Sequence, residues 1–475
     1  MIIMGVILRD YQSDIINRAR LSMRRNRRVL LQAPTGAGKT ALASFMAGEA
    51  SAKGQQVWFI CHRAELVLQT SLTFRKFGID HGFIAAGYPM NLRAGVQVCS
   101  IDTLKNRLGT LQPPKLAIMD EAHHCGAAGW ARVNAWLFEN GAYVIGLSAT
   151  PKRLDGTGLD DHFDDIVLGP SVRWLMDNGH LSDYRMFCPD IPDMKGVRKQ
   201  MGDFSKGETA EKMDKPKLTG NIISHWLKYA KGMKTVGFAV NIAHSRHLTQ
   251  AFIDSGIRAA HLDGGTDKAE RKRIIQDYAN DNLDVIFNVS LFGEGFDLSA
   301  IAQTDVTIDC LIDAQPTQSL SLVLQKDGRV LRPSKGKTAI ILDHAGNALR
   351  HGFPDDEREW SLAGDDSGSK SSSAGGPPPP VICKGCFNAI RRPLPPKCPH
   401  CQKELQAEAK EIEVAEGELR EMDERAKESL RARMRREEDA CKDIGALTAL
   451  AMKRGLPNPS GWAIAKMGGR RFKRK

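Results

Sequence analysis

Short apolar runs that end in polar or glycine-rich turns recur along most of this chain, with helix-like text between them. "RVLLQAP", "QVWFICH", "GVQVCS", "KLAIMDEA" and "YVIGLSATP" occur in order within about the first 150 residues, separated by stretches such as "GKTALASFMAGEASAKG". This rhythm predicts parallel strands covered on both faces by helices. Ligands of such sheets bind at the carboxyl ends of the strands, so every polar tail is expected on one rim. Residues 152–215, rich in Asp, Gly and Lys, interrupt the rhythm. It returns from about Asn221 with "TVGFAV", "AAHLDGG", "DVIFNVS", "QTDVTIDC" and "TAIILDHAG". The expected fold class is therefore α/β, with two parallel-sheet lobes in tandem that match in pattern and not in sequence.

The loop that follows the first run, "APTGAGKT" at 33–40, carries the first chemical signal. Its glycines let the backbone curl until several N–H groups face one phosphate, and the next helix adds its positive end. Thr35, Gly36, Ala37, Gly38, Lys39 and Thr40 are the candidate nucleotide-binding residues. Lys39 is expected to reach the β and γ phosphates, and the Thr40 hydroxyl to ligate Mg²⁺. The pattern departs from the general phosphate-loop form only at its first position, where Ala33 replaces glycine. In "IMDEAHH" (118–124), Asp120 follows an apolar run and so reaches the same rim. Asp120 is the second expected Mg²⁺ ligand, and Glu121 the group that polarises an attacking water.

With these motifs stand "GLSATP" (146–151) and "LQKDGRVLRP" (324–333), and together they resemble superfamily-two helicases of the DEAD/DEAH-box type over about residues 5–350. The similarity is greatest to RadD-like and phage-type DNA helicases, through "AQPTQSLSLVLQ" leading into "GRVLRP", then "LDHAGN", then a cysteine module. The resemblance implies two RecA-like lobes, with ATP and Mg²⁺ in the cleft between them. It implies that Gln12, in "LRDYQ", reads the adenine, and that Arg63 and Thr103 touch the nucleic-acid backbone. His123, Ser148, Thr150, Gly295, Asp297 and Gln325 would couple hydrolysis to lobe movement. Arg329 and Arg332 would complete catalysis from the second lobe. Lys326 and Asp327 are a departure, since these two positions of the arginine motif are usually apolar or small. A charged pair there is expected to loosen the packing of the arginine segment.

Beyond the lobes, "GDDSGSKSSSAGGPPPP" (364–380) has too little apolar content to build a core and reads as a linker with a stiff proline end. "CKGC" and "CPHC" then supply Cys383, Cys386, Cys398 and Cys401, the spacing of one tetrahedral Zn²⁺ site. A redox pair is the competing reading. From Glu404 to about Cys441 the text is charged and free of proline, as an exposed helix would be. The expected boundaries are a first lobe at 1–170, a connector at 171–215, a second lobe at 216–352, a linker at 353–380, a zinc ribbon at 381–404, a charged helix at 405–442 and a basic tail at 443–475.

The net charge of +11 and pI near 9.1 point to a polyanionic partner. Lys453 to Lys475 holds eight basic residues and no acidic ones. Ribbon and tail are thus expected to grip nucleic acid, with protein docking through the ribbon or charged helix as the other reading. DNA is favoured over RNA through the RadD-like resemblance alone. The opening "MIIMGVIL" is too short to span a bilayer and lacks the charged leader and cleavage site of a signal peptide. No membrane partner is expected, and the expected location is the cytoplasm of a bacterium or a phage-infected cell. The function that follows is an ATP-dependent DNA helicase or translocase. A branch-remodelling or annealing motor and an RNA helicase are the near alternatives. A nucleic-acid clamp without turnover is the alternative of another class, and it would predict damage at Lys39, Asp120, Glu121 or Arg329.

Overall fold

The computed structural model describes the chain except Met1, 4–5, 153–156, 190–191, 201, 293–297, 364–377, 406–433, 435, 442, 455–457 and 473–475. Gly295 and Asp297, and most of the predicted charged helix, lie outside the described residues. Two units are present, Met1–Ala407 and Glu408–Lys475.

The first unit holds both lobes. In lobe one, strands β1 (Arg28–Gln32), β2 (Val57–Cys61), β3 (Gly82–Ile84), β4 (Val96–Ser100), β5 (Leu116–Met119), β6 (Tyr143–Ser148) and β7 (Asp165–Leu168) form one sheet in the order β3-β4-β2-β5-β6-β1-β7. Every pairing in it is parallel. The central strands are buried along nearly their whole length, as continuous Val/Ile/Leu/Phe text requires when helices cover both faces. Helices α1 (Asp10–Ser22), α2 (Lys39–Ala52), α3 (Ala64–Lys76) and α4 (Ala128–Glu139) complete the lobe.

Lobe two repeats the plan with six parallel strands: β8 (Asp183–Phe187), β9 (Thr235–Phe238), β10 (Ala259–Leu262), β11 (Val285–Asn288), β12 (Cys310–Asp313) and β13 (Thr338–Asp343), in the order β8-β13-β12-β9-β11-β10. Its helices include α5 (Pro216–Tyr229), α6 (Ile242–Asp254), α7 (Lys268–Ala279) and α8 (Leu320–Val330). Ser319 caps α8 by accepting the Leu322 N–H at 3.1 Å.

Three sequence expectations change in the first unit. β8 lies inside the segment expected to be a connector, because Met186 and Phe187 are buried against the lobe-two core. The strand expected from "QTDVTIDC" begins only at Cys310; Val306 and Ile308 are buried, yet they line a recess beneath Arg329 instead of pairing. The expected linker is ordered at its start. There Arg358 donates to the carbonyls of His351 (3.0 Å) and Phe353 (2.8 Å), and the Leu362 carbonyl accepts the Leu159 N–H (2.7 Å). Residues 353–362 thus form a strap that returns from lobe two to lobe one.

The cysteine module, with strands β14 (Val381–Ile382) and β15 (Ala389–Ile390), packs on lobe two at the exposed edge of β8. Cys188 N–H donates to the Phe387 carbonyl at 2.8 Å, Tyr229 Oη donates to the Cys386 carbonyl at 3.0 Å, and Phe187 stacks on Tyr229 at 4.2 Å. Arg391 completes the seam through Asp355 at 2.6 Å and through Asp356.

In the second unit, α9 (Ile444–Lys453) and α10 (Pro459–Phe472) pack through Leu447, Ala451 and Ala463, so the expected basic tail is folded. Arg454 pairs there with Glu437 and Glu438. Among the described residues, no helix is long and apolar enough to cross a membrane.

Candidate functional site

The phosphate loop occupies the carboxyl end of β1, as the polar tails require. Gly36 and Gly38 adopt φ of +90° and +84°, which an L side chain resists, and so bend the loop into a cradle at the start of α2. Two groups from α1 hold it from below. Tyr11 Oη and Gln12 Nε2 both donate to the Ala37 carbonyl at 2.9 Å. Gln12 Oε1 accepts the Arg9 N–H at 3.0 Å, so the predicted base reader also caps its own helix and braces the loop. Lys39 Nζ rests 3.4 Å from the Ala33 carbonyl, inside the cradle, and Thr40 stands exposed one residue later.

Asp120 and Glu121 follow β5 on the same rim. Asp120 Oδ1 accepts the Glu121 N–H at 3.0 Å, and Glu121 sits at φ +48°, a left-handed turn that swings its buried carboxylate across the cleft. There it meets Gln325 of α8, whose Nε2 lies 3.5 Å from Glu121 Oε2. A hydrogen-bonded file leaves the same carboxylate in the other direction. His123 Nδ1 lies 3.4 Å from Glu121 Oε2 and 3.3 Å from Ser148 Oγ. Ser148 Oγ donates to the Thr150 carbonyl at 2.8 Å, and Thr150 Oγ1 donates to Ser321 Oγ at 2.7 Å. Ser321 belongs to α8, so the file and the Gln325 contact land on one lobe-two helix. Sequence reading missed Ser321, although it stands four residues before Gln325 and therefore on the same helical face.

α8 also touches the cradle itself. A Cβ at Gly328 would lie 2.3 Å from Thr35 Cβ, and one at Gly36 would lie 2.6 Å from Leu181. Only glycine allows the arginine helix and the phosphate loop to approach so closely. Beside this contact lies a cavity of about 140 Å³, lined by Thr35, Gly328, Leu331, Arg358 and Trp360 among others. Arg329 is buried, and with Arg332 it lines a recess formed by Phe292, Leu298, Val306 and Ile308 of lobe two. Lys337 holds the end of the segment, donating to the Arg332 carbonyl at 2.9 Å, and burial lowers its pKa to about 8.

The departure at Lys326–Asp327 does not loosen this segment. Lys326 is fully buried and pairs with both Asp313 carboxylate oxygens at 2.6 and 2.7 Å. Asp327 is buried too. Desolvation, reinforced by the nearby Asp313 carboxylate, holds its carboxyl well above the usual range.

The two expected strand contacts serve the protein in this state. Arg63 Nη1 donates across the cleft to the Ser290 carbonyl at 3.1 Å, and Thr103 Oγ1 accepts the Ala86 N–H at 3.0 Å.

The four module cysteines converge, with all Sγ atoms within 4.8 Å of one another. Cys383 and Cys401 are 3.7 Å apart and Cys386 and Cys398 3.6 Å, too far for disulfides and close to the edge of a tetrahedron whose centre-to-sulfur distance is about 2.3 Å. The backbone N–H groups of Gly385 and His400 donate to Cys383 and Cys398 at 3.4 Å, as donors to thiolates do. The cluster is compatible with zinc. The His400 ring packs edge-on against Phe187 at 5.1 Å, facing lobe two.

Comparison with known proteins places these features in a family. Residues 5–153 match the family described as Type III restriction enzyme, res subunit, and residues 215–334 match the helicase conserved C-terminal domain. A 51.5 kDa protein of a Lactococcus phage is 33% identical over 331 residues, covering 70% of this chain and 68% of that protein. The chain belongs to the superfamily-two helicases. The helicase is also 31% identical over 362 residues to IRC3 of Saccharomyces cerevisiae, assigned as an ATP-dependent helicase, covering 72% of this chain and 52% of IRC3. It is 25% identical over 384 residues to the DNA 3'-5' translocase XPB2 of Sulfurisphaera tokodaii, covering 71% and 81% of the two chains. This helicase thus spans about half of the yeast relative and about two thirds of the phage one. As a member of its family it is a nucleic-acid-dependent ATPase.

Proposed function

We propose that this helicase is a DNA motor whose turnover requires α8 to close on the phosphate loop. The carrying observation is that Glu121 meets Gln325 directly and reaches Ser321 through His123, Ser148 and Thr150, so that one carboxylate is linked twice to one lobe-two helix. Lys39 and the loop amides bind the triphosphate, and Thr40 and Asp120 hold Mg²⁺. When bound, the metal neutralises charge on the phosphates. Glu121 orients the attacking water, and its own orientation depends on Gln325 and His123. Arg329 and Arg332 turn from their recess toward the transferred phosphoryl group when the cleft is loaded. In motors of this kind such arginines contribute roughly 10³–10⁵ in rate. Gln12 senses the base through the same amide that braces Ala37. Arg63 exchanges its Ser290 contact for backbone phosphate, and Thr103 lies on the same strand path.

DNA is supported by the restriction-enzyme family matched by lobe one and by the named DNA translocase matched over both lobes. Zn²⁺ in the Cys383, Cys386, Cys398 and Cys401 cluster holds the ribbon against lobe two. ATPase rate with single-stranded, duplex and forked DNA and with RNA, alongside Lys39→Ala, tests the proposal. Stimulation by a DNA form, lost in the variant, is expected. Stimulation by RNA alone would move the substrate to RNA, and no stimulation by any polymer would end the motor reading.

A further inference from the structure

α8 presents two faces. Gln325 meets Glu121 of lobe one, and Arg329 lies one turn further along, lining its recess, whereas Lys326 and Val330 are directed into lobe two and are fully buried. Lys326 Nζ does not merely find one partner. It reaches both carboxylate oxygens of Asp313 and lies 3.4 Å from the Gln315 carbonyl and 5.7 Å from the centre of the Phe238 ring. Asp313 and Phe238 are the last residues of β12 and β9, paired in register in the middle of the second sheet. Asn347 Nδ2 donates to Asp313 Oδ2 at 2.8 Å and closes the node from the far side. The ammonium is thus seated across the carboxyl ends of two central strands.

A buried ion pair is a poor way to gain stability, because desolvating both charges offsets most of their attraction and apolar residues of similar size often do as well. What it supplies is direction. An apolar side chain would pack in several rotations of α8, whereas a bidentate pair holds only one. Successive residues stand about 100° apart on a helix, so a turn of one position would replace Gln325 with Lys326 at Glu121.

We infer that Lys326 is a positioning residue for turnover: its pair with Asp313 sets the rotation of α8 at which Gln325 and Arg329 are presented to the phosphate loop. The inference rests on the proposed role of Arg329, and Arg329→Ala is therefore assayed beside it.

The test is steady-state ATPase with saturating DNA, together with thermal unfolding, for the full-length Lys326→Met chain and the Lys326→Met/Asp313→Leu double variant. Lys326→Met leaves a buried carboxylate without its cation. It is expected to lower Tm and to reduce kcat roughly 10–100-fold, the scale of a misplacement near 1 Å, with KM for ATP within about twofold. The double variant removes the stranded charge. Its Tm is expected to recover in part, because Asn347 and the Gln315 N–H still lose an acceptor, while kcat stays low, a split that a purely structural pair would not produce. Wild-type kcat in either variant, or a fall in kcat that recovers together with Tm, overturns the inference. Should Lys326→Met fail to fold, the double variant decides alone. A slow Arg329→Ala beside a wild-type double variant sinks only the inference; an Arg329→Ala chain with unchanged turnover sinks the reading beneath it.

Discussion

The two halves of the proposed catalytic cleft are built by different means. The lobe-one half is local: eight consecutive residues, 33–40, are shaped by two glycines and braced by Tyr11 and Gln12 from the preceding helix. The lobe-two half is assembled from a distance. α8 is held by Asp313 through Lys326, its outgoing segment by Lys337, and the nearby strap 353–362 by Arg358 and by Arg391 of the ribbon. A cradle for phosphate can be made by backbone geometry alone. A side chain offered by another lobe depends on whatever orients its helix.

This contrast can be broken by cutting each half. The largest effect is expected from Arg329→Ala, a loss of roughly 10³–10⁵ in DNA-stimulated kcat with little change in nucleotide affinity, measured by turnover and equilibrium ATP binding. Lys39→Ala should instead lose both, because it removes a group of the binding cradle. Equal loss of affinity in the two variants would erase the distinction.

Gly328→Ala probes the contact where the halves meet. Alanine favours a helix by about 1 kcal/mol over glycine, so α8 itself should not weaken. Its Cβ would collide with Thr35, and kcat is expected to fall roughly tenfold or more while Tm holds. Turnover at the wild-type level would mean that the lobes need not approach so closely.

Disrupting the four-cysteine cluster sharpens the contrast between lobes. Cys398→Ala or chelation should expose the Cys188 N–H and the β8 backbone to hydrogen exchange, while β1 amides stay protected, as read by mass spectrometry on the full chain. Simultaneous loss of protection at β1 would show the lobes to be one cooperative unit.

The smallest effect is on acid stability. Burial lowers the His244 pKa from 6.5 to about 4, so the unfolded chain takes up this proton first. Lobe-two stability should fall as pH drops from about 6.5 toward 4, by on the order of 3 kcal/mol. His244→Gln should flatten that slope in pH-dependent unfolding.

Some of this was legible from residues alone, and some was not. The strand–loop–helix at 33–40 and the acids at Asp120 and Glu121 were readable because each motif is short, contiguous and bounded by apolar text. The strand at Asp183–Phe187 was not, since its burial comes from β13 on one side and from the ribbon on the other. Lys326 was read with the wrong sign: a charge in a normally apolar position suggests loosening until its partner, thirteen residues upstream, is seen beside it.

By itself, then, the order of residues determined two α/β lobes, the phosphate cradle, the paired acids and the cysteine set, because strand periodicity, loop glycines and C-x-x-C spacing act over a few neighbouring residues. Only the tertiary structure decided which side of α8 faces the cleft, that the ribbon packs against lobe two, and that a strap returns to lobe one. Those outcomes depend on pairing buried charges and covering sheet edges between segments far apart in the chain, and no local pattern encodes which distant partner will be there.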